Sequence, residues 1–220
     1  MRKGKGERMK TYVNTEKALE LLNNGDLDGL RLHLKNALIS EATYAKSGRA
    51  GVARFNAAKK YIKDIGEGRP GLGAWEADGK QYLVDGHTAF IFEGDNKIAG
   101  LKQIPDDVEK MKLEKFFDEI PPAVETVTIS LAAVKMAIAE WKADGKIGQR
   151  CIIRIGNATY NSALVEEALR IIGLDTVDVR LSDNPIAPGL IASDGIRALV
   201  LPCKSEGVKI YEVEAADIAA

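Results

Sequence analysis

The stretch Tyr160-Asn161-Ser162-Ala163-Leu164-Val165-Glu166-Glu167-Ala168-Leu169-Arg170-Ile171-Ile172-Gly173 decides how this 220-residue chain is read. It opens on an aromatic residue and an Asn placed to cap a helix, runs for about three turns, and stops on Ile-Gly. An earlier stretch, Phe55-Asn56-Ala57-Ala58-Lys59-Lys60-Tyr61-Ile62-Lys63-Asp64-Ile65-Gly66, follows the same plan. Strand-forming segments come after both. The first copy continues through Gly73–Ala77, Lys80–Val84 and His87–Phe92, separated by Asp78-Gly79 and Asp85-Gly86, which predicts a three-stranded meander. The second continues through Thr176–Leu181, Gly189–Ser193 and Ile196–Leu201, the last two joined by Asp194-Gly195. Asn161 lies 105 positions after Asn56 and Asp194 lies 109 after Asp85, and Asp85–Phe92 aligns with Asp194–Leu201 without a gap. Order, spacing and flanking segments together indicate an internal duplication.

Upstream of each shared half stands a further strand and helix. Val124–Ser130 reads as a strand ending on a Ser cap, followed by a helix over Leu131–Ala143 with Leu131, Val134, Ile138 and Trp141 turned inward. Asp144-Gly145 stops it, and Arg150–Ile155 is the next strand. In the first copy Lys10–Asn14 precedes a helix over Thr15–Asn24, and Leu30-Arg31-Leu32-His33-Leu34 alternates like a strand. The charged segment 105–122 carries a helical stretch around Asp106–Phe117 and reads as a connector. The expected fold class is therefore α+β. Two similar units, 1–104 and 123–220, each with two helices on antiparallel sheet, are joined through 105–122.

Composition narrows the function. Thirty-one basic and 32 acidic side chains leave a net charge of −1, so no global field draws the chain to nucleic acid or to an anionic membrane. No apolar run is long enough to span a bilayer, and Arg197 interrupts the Ile196–Cys203 run. The basic start, Met1 to Arg8, has no apolar segment after it and reads as a frayed tail, not a signal peptide. Cys151 and Cys203 are isolated, which fits a reducing cytoplasm better than a disulfide framework or a zinc site. His33 and His87 read as ordinary strand or surface histidines, and Trp75 and Trp141 as core anchors. The glycine-rich segment Gly66–Gly73 follows a helix instead of opening one and lacks Gly-Lys-Ser/Thr, so it is no phosphate loop. No Ser/His/Asp, Cys/His or HExxH pattern occurs, and neither catalysis, a cofactor nor a metal is expected.

From Val124 to Lys204, with its helix Tyr160…Gly173 and its end Ala198-Leu199-Val200-Leu201-Pro202-Cys203-Lys204, the chain resembles the last domain of bacterial polymerase III beta subunits, the DNA sliding clamps. The first unit shares the resemblance through the internal repeat. The resemblance implies a non-catalytic DNA-binding or processivity protein that scaffolds replication or repair partners. Its helices would line a hole and carry Lys towards phosphates, without base readout. Lys135, Lys142 and Lys146 fall on one helical face, and Lys59, Lys60 and Lys63 cluster on another, whereas Glu166 and Glu167 would repel phosphate. The implied partners are duplex DNA through its backbone, polymerase-type peptide motifs and, to complete a ring, further copies of the chain. Pro202 ends the strand before it, and a peptide groove is expected around Leu201, Pro202 and Cys203, edged by Ile172 and Leu174. Alternatively Val208–Val213 folds back as a strand and covers that place. The alternative function is a clamp-derived scaffold that binds protein or peptide and no DNA.

Overall fold

The computed structural model describes residues 13–65, 71–145 and 149–216. Two helices come first, α1 (Thr15–Asn23) and α2 (Leu27–Ile65). Asn14 caps α1 by accepting from the Lys17 amide, and the Asp26 carboxylate accepts from the Gly29 amide at the start of α2. The α2 span is two helices joined at a kink, because Gly48 (φ 61°, ψ −157°) breaks the helical path in a conformation that side chains disfavour. Leu30–Leu34, expected as a strand, lies in α2, so His33 is helical and its ring contacts the Asn14 carbonyl at 3.1 Å. The alternation was real, but so was an i, i+4, i+7 pattern through Leu30, Leu34 and Ala37, and the helix won. Asn56 sits inside α2 and caps nothing.

The meander β1 (Gly73–Ala77), β2 (Lys80–Val84) and β3 (Thr88–Glu93) forms as expected, with antiparallel pairing throughout. The connector holds only a short helix, α3 (Leu113–Asp118), in place of the expected stretch from Asp106. Then come β4 (Glu125–Ser130) and α4 (Leu131–Ala143), capped by the Ser130 hydroxyl on the Ala133 amide. The hairpin β5 (Ile152–Ile155) and β6 (Ala158–Asn161) leads into α5 (Ser162–Ile172). Asn161 caps α5, and Gly173 at φ 75° ends it in the left-handed conformation. A second meander follows: β7 (Thr176–Leu181), β8 (Gly189–Ser193) and β9 (Ile196–Val200), and then β10 (Ile210–Glu212).

The two meanders share one sheet. Its order is β1-β2-β3-β9-β8-β7-β4, and β10-β5-β6 forms a smaller sheet. The seam is β3 against β9, antiparallel, with Thr88 opposite Val200 and Phe92 opposite Ile196. One face of the seam (Phe90, Phe92, Ile196, Ala198, Val200) belongs to the main core with α2, α4, α5 and the smaller sheet. The other face (Trp75, Tyr82, Ala89, Ile91, Leu199) is covered by Leu113 and Phe117 of α3. The connector thus supplies the cover that lets a central sheet bury both faces. An ion-pair network fastens it: Glu114 of α3 meets Lys80 and Arg197, and accepts from the Tyr82 hydroxyl at 3.1 Å. Arg197 also stacks over the Phe117 ring at 5.3 Å. Trp75 is an anchor as expected, stacked on Tyr82 with centroids 5.2 Å apart. Val134, Ala168 and Ile172 are fully buried, while Ile138, Trp141 and Leu164 are partly buried against the same core.

Candidate nucleic-acid interface

Helices α2, α4 and α5 carry the sequence-predicted lysines. α5 packs against both α2 and α4, so it lies between them. Its strong stripe (Val165, Ala168, Leu169, Ile172) is buried, and its polar face looks outward. Lys59, Lys60 and Lys63 are exposed on α2, and Lys135 and Lys142 on α4. Lys146 lies outside the described residues. Among the described residues none of these five lysines forms an ion pair. Partial burial and then the neighbouring Lys63 charge make Lys59 release its proton more readily than usual.

Two carboxylates of the same layer are paired. Glu166, expected to repel phosphate, accepts from Arg170 at 2.6 Å one turn along α5. Glu140 on α4 lies 3.8 Å from Lys209, which also donates to Asp144 at 2.6 Å. Among the described residues, therefore, these five lysines have no ion-pair partner, whereas Glu166 and Glu140 have one each.

Sequence reasoning missed Arg54. Its Nε donates to the Ile171 carbonyl at 2.7 Å, and its guanidinium lies 4.7 Å above the Phe92 ring. Burial lowers its pKa to about 10. Arg54 therefore pins α2 to the carbonyl end of α5, where a cation is favourable, and is not a surface contact. An Arg among the solvent-facing residues of α2 carries no sequence mark of this.

The expected peptide groove is not brought together as drawn. Ile172 is packed into the core. Leu174 and Leu201 are exposed, and the Leu201 amide is tied to the His87 carbonyl at 2.9 Å. Pro202 takes the chain out of the sheet as expected, and Cys203 then pairs with Thr159 beside β6 through its amide and carbonyl. The tail folds back, with β10 parallel to β5 and both Tyr211 and Val213 buried. What remains open is a cavity of about 310 Å³ lined by Gln149, Arg150, Ile152, Asn161, Cys203, Lys204 and Val208. Of the five expected groove residues, only Cys203 lines it. Burial raises the Cys203 pKa, against a smaller opposing effect of Arg150, so the thiol is no activated nucleophile.

No family model and no curated protein matches the sequence. Solved structures of clamps are similar to the chain. DNA polymerase III subunit beta from Pseudomonas aeruginosa is 12% identical, with a TM-score of 0.47 over 69% of this chain and 64% of that one. The beta subunit of the Streptococcus pyogenes DNA polymerase is 11% identical, with a TM-score of 0.47 over 70% and 64%. The Bacillus subtilis sliding clamp gives 11%, 0.47, 70% and 63%. The chain thus spans just under two thirds of the length of the clamps it matches. In fold it is an α+β protein similar to the bacterial DNA polymerase III beta sliding clamps.

Proposed function

We propose that the chain is a non-catalytic, clamp-like scaffold that holds duplex DNA by its phosphate backbone through the layer α2–α5–α4. One observation carries this reading. Lys59, Lys60, Lys63, Lys135 and Lys142 are exposed without ion-pair partners among the described residues, while Glu166 and Glu140 in the same layer are matched by Arg170 and Lys209. A net charge of −1 leaves this as a local basic surface on a nearly neutral protein. Such a surface attracts phosphate without reading bases. The test is fluorescence anisotropy with labelled duplexes of unrelated sequence at low salt. Equal binding to all of them supports the reading, and no binding to any of them refutes it.

A second reading has its own observation. The cavity beside Cys203 has an apolar floor in Ile152 and Val208 and two cations, Arg150 and Lys204, on its wall. That combination suits a peptide with an acidic residue next to an apolar one. Titration with such a peptide, repeated on Lys204→Glu, tests it. Unchanged affinity in the variant rejects the site.

A further inference from the structure

The helical hairpin of α1 and the first half of α2 is poor in core. α1 buries no residue, and from Val13 to Ala45 only Ala37 is fully buried. Yet the hairpin is rich in leucine. Leu27, Leu34 and Leu38 are 56%, 41% and 66% exposed, and fall at i, i+7 and i+11, so they form one stripe along α2. Arg31, Glu41 and Ala45 lie on the same stripe and are also exposed. Leu19 and Leu22 of α1, and Leu32 on another side of α2, are exposed as well. The three leucines of the stripe present on the order of 300 Å² of apolar surface, the size of the largest patch on an ordinary monomer.

We propose that this stripe is a self-association surface, and that its occupant is the same stripe of a second copy, running antiparallel. The order of residues is self-complementary about a two-fold axis level with Asn36. That axis sets Leu34 of one copy opposite Leu38 of the other, Leu27 opposite Ala45, and Arg31 opposite Glu41, each pair occurring twice. This is the isologous pattern a two-fold dimer requires, in which residue i meets j and j meets i. Arg31 is free to make the exchange. Its only ion pair among the described residues is a 3.6 Å contact to Asp28, and both side chains are almost fully in solvent. Residues 1–12 are a poor alternative cover, because Met1, Met9 and Tyr12 are their only large apolar residues. The proposal stands independently of DNA binding.

Sedimentation equilibrium on the full chain tests it. The expected result is a dimer at micromolar concentration. Arg31→Glu alone or Glu41→Arg alone sets like charges opposite each other twice and should weaken the dimer by about tenfold or more. The two changes together should return its dissociation constant to within about threefold of the parent. Both sites are exposed, so neither change threatens folding, and circular dichroism checks this. Leu34→Ser with Leu38→Ser should give a monomer of unchanged helicity. Four outcomes overturn the proposal: a parent that is monomeric at about 100 μM, single reversals without effect, a double reversal that fails to restore, or a dimer that forms only after residues 1–12 are removed.

Discussion

If the helical layer holds duplex DNA, its salt dependence follows from the count of uncompensated lysines. Taking one phosphate contact for each of Lys59, Lys60, Lys63, Lys135 and Lys142, log K should fall against log salt with a slope of about −4.5 at most, roughly 0.9 per phosphate. A fourfold rise in salt, from 50 to 200 mM, then weakens binding by about 500-fold. Replacing Lys59, Lys60 and Lys63 by Ala leaves two contacts and a slope of about −1.8, so the same rise costs only about 12-fold. All three lysines are exposed on α2, and the substitutions favour the helix, so stability should hold. Anisotropy titrations of a labelled duplex at five or six salt concentrations, on parent and triple variant, measure both slopes. The variant should bind more weakly at low salt and nearly as well at high salt. A variant with the parental slope would show that α2 does not touch phosphate. A slope that changes with DNA sequence would show that bases are being read, which this geometry does not provide for.

Three further outcomes follow from the packing. Tyr160 is 1% exposed, its hydroxyl finds no partner among the described residues, and a methyl on Gly189 would sit 2.6 Å from that oxygen. Tyr160→Phe should therefore stabilise the protein by about 1 kcal/mol in urea unfolding, and a loss of that size would mean the hydroxyl is hydrogen-bonded in solution. Deleting residues 207–220 removes β10 with buried Tyr211 and Val213 and bares the edge of β5, so the truncated chain should aggregate. A soluble truncation with the parental melting temperature would refute the structural role of the tail. Hydrogen bonds from Lys80 and Tyr82, with the Lys80 and Arg197 charges, outweigh desolvation and lower the Glu114 pKa from its ordinary 4.5. A carboxylate depressed on folding contributes stability above its unfolded pKa and loses it as pH falls through the folded one. Trp75 fluorescence should thus report α3 loosening below about pH 4.5 in the parent, and Glu114→Gln should abolish that acid dependence; an unaltered acid transition in the variant refutes the assignment.

The sequence was legible where local rules act alone. Ser130 and Asn161 cap, Gly173 stops, and Asp-Gly pairs turn, because each depends on a few neighbouring atoms. It was not legible where a distant contact decides. Nothing local says that β3 pairs with β9, that α3 covers the outer face of the sheet, or that Arg54 caps a helix more than a hundred residues away. For the candidate site, the lysines could be picked out as charge on helical faces. Whether neighbouring carboxylates cancel them could not, because Lys209 reaches Glu140 only after the tail folds back.

The same limit governs how the two helix–meander units correspond, which we read as copies of one unit. The gapless match of Asp85-Gly86 to Asp194-Gly195 places Phe90 on Leu199, but Phe90 faces the helices and Leu199 faces α3. A shift of one residue in a strand reverses every side chain, so that correspondence is one position out. Pairing supplies the right one. An offset of 108 carries the pair Val84–Ala89 onto Ala192–Arg197, which are also paired, and carries Phe90 onto its own partner Ala198. An offset of 109 would carry Val84–Ala89 onto Ser193 and Ala198, which are not. In the helices burial decides instead: Phe55, Ala58 and Tyr61 on α2 match Ser162, Val165 and Ala168 on α5 at an offset of 107, with Asn56 displaced from Asn161. The first strand needs a third value, since the pair Ala74–Leu83 falls on Val179–Ile191 at 105 for its first member. Each element keeps its register and its buried face, and the loops between them absorb the differences. Two Asp-Gly turns stand at nearly matching places because both hairpins need a residue with positive φ there, and not because the residues are equivalent.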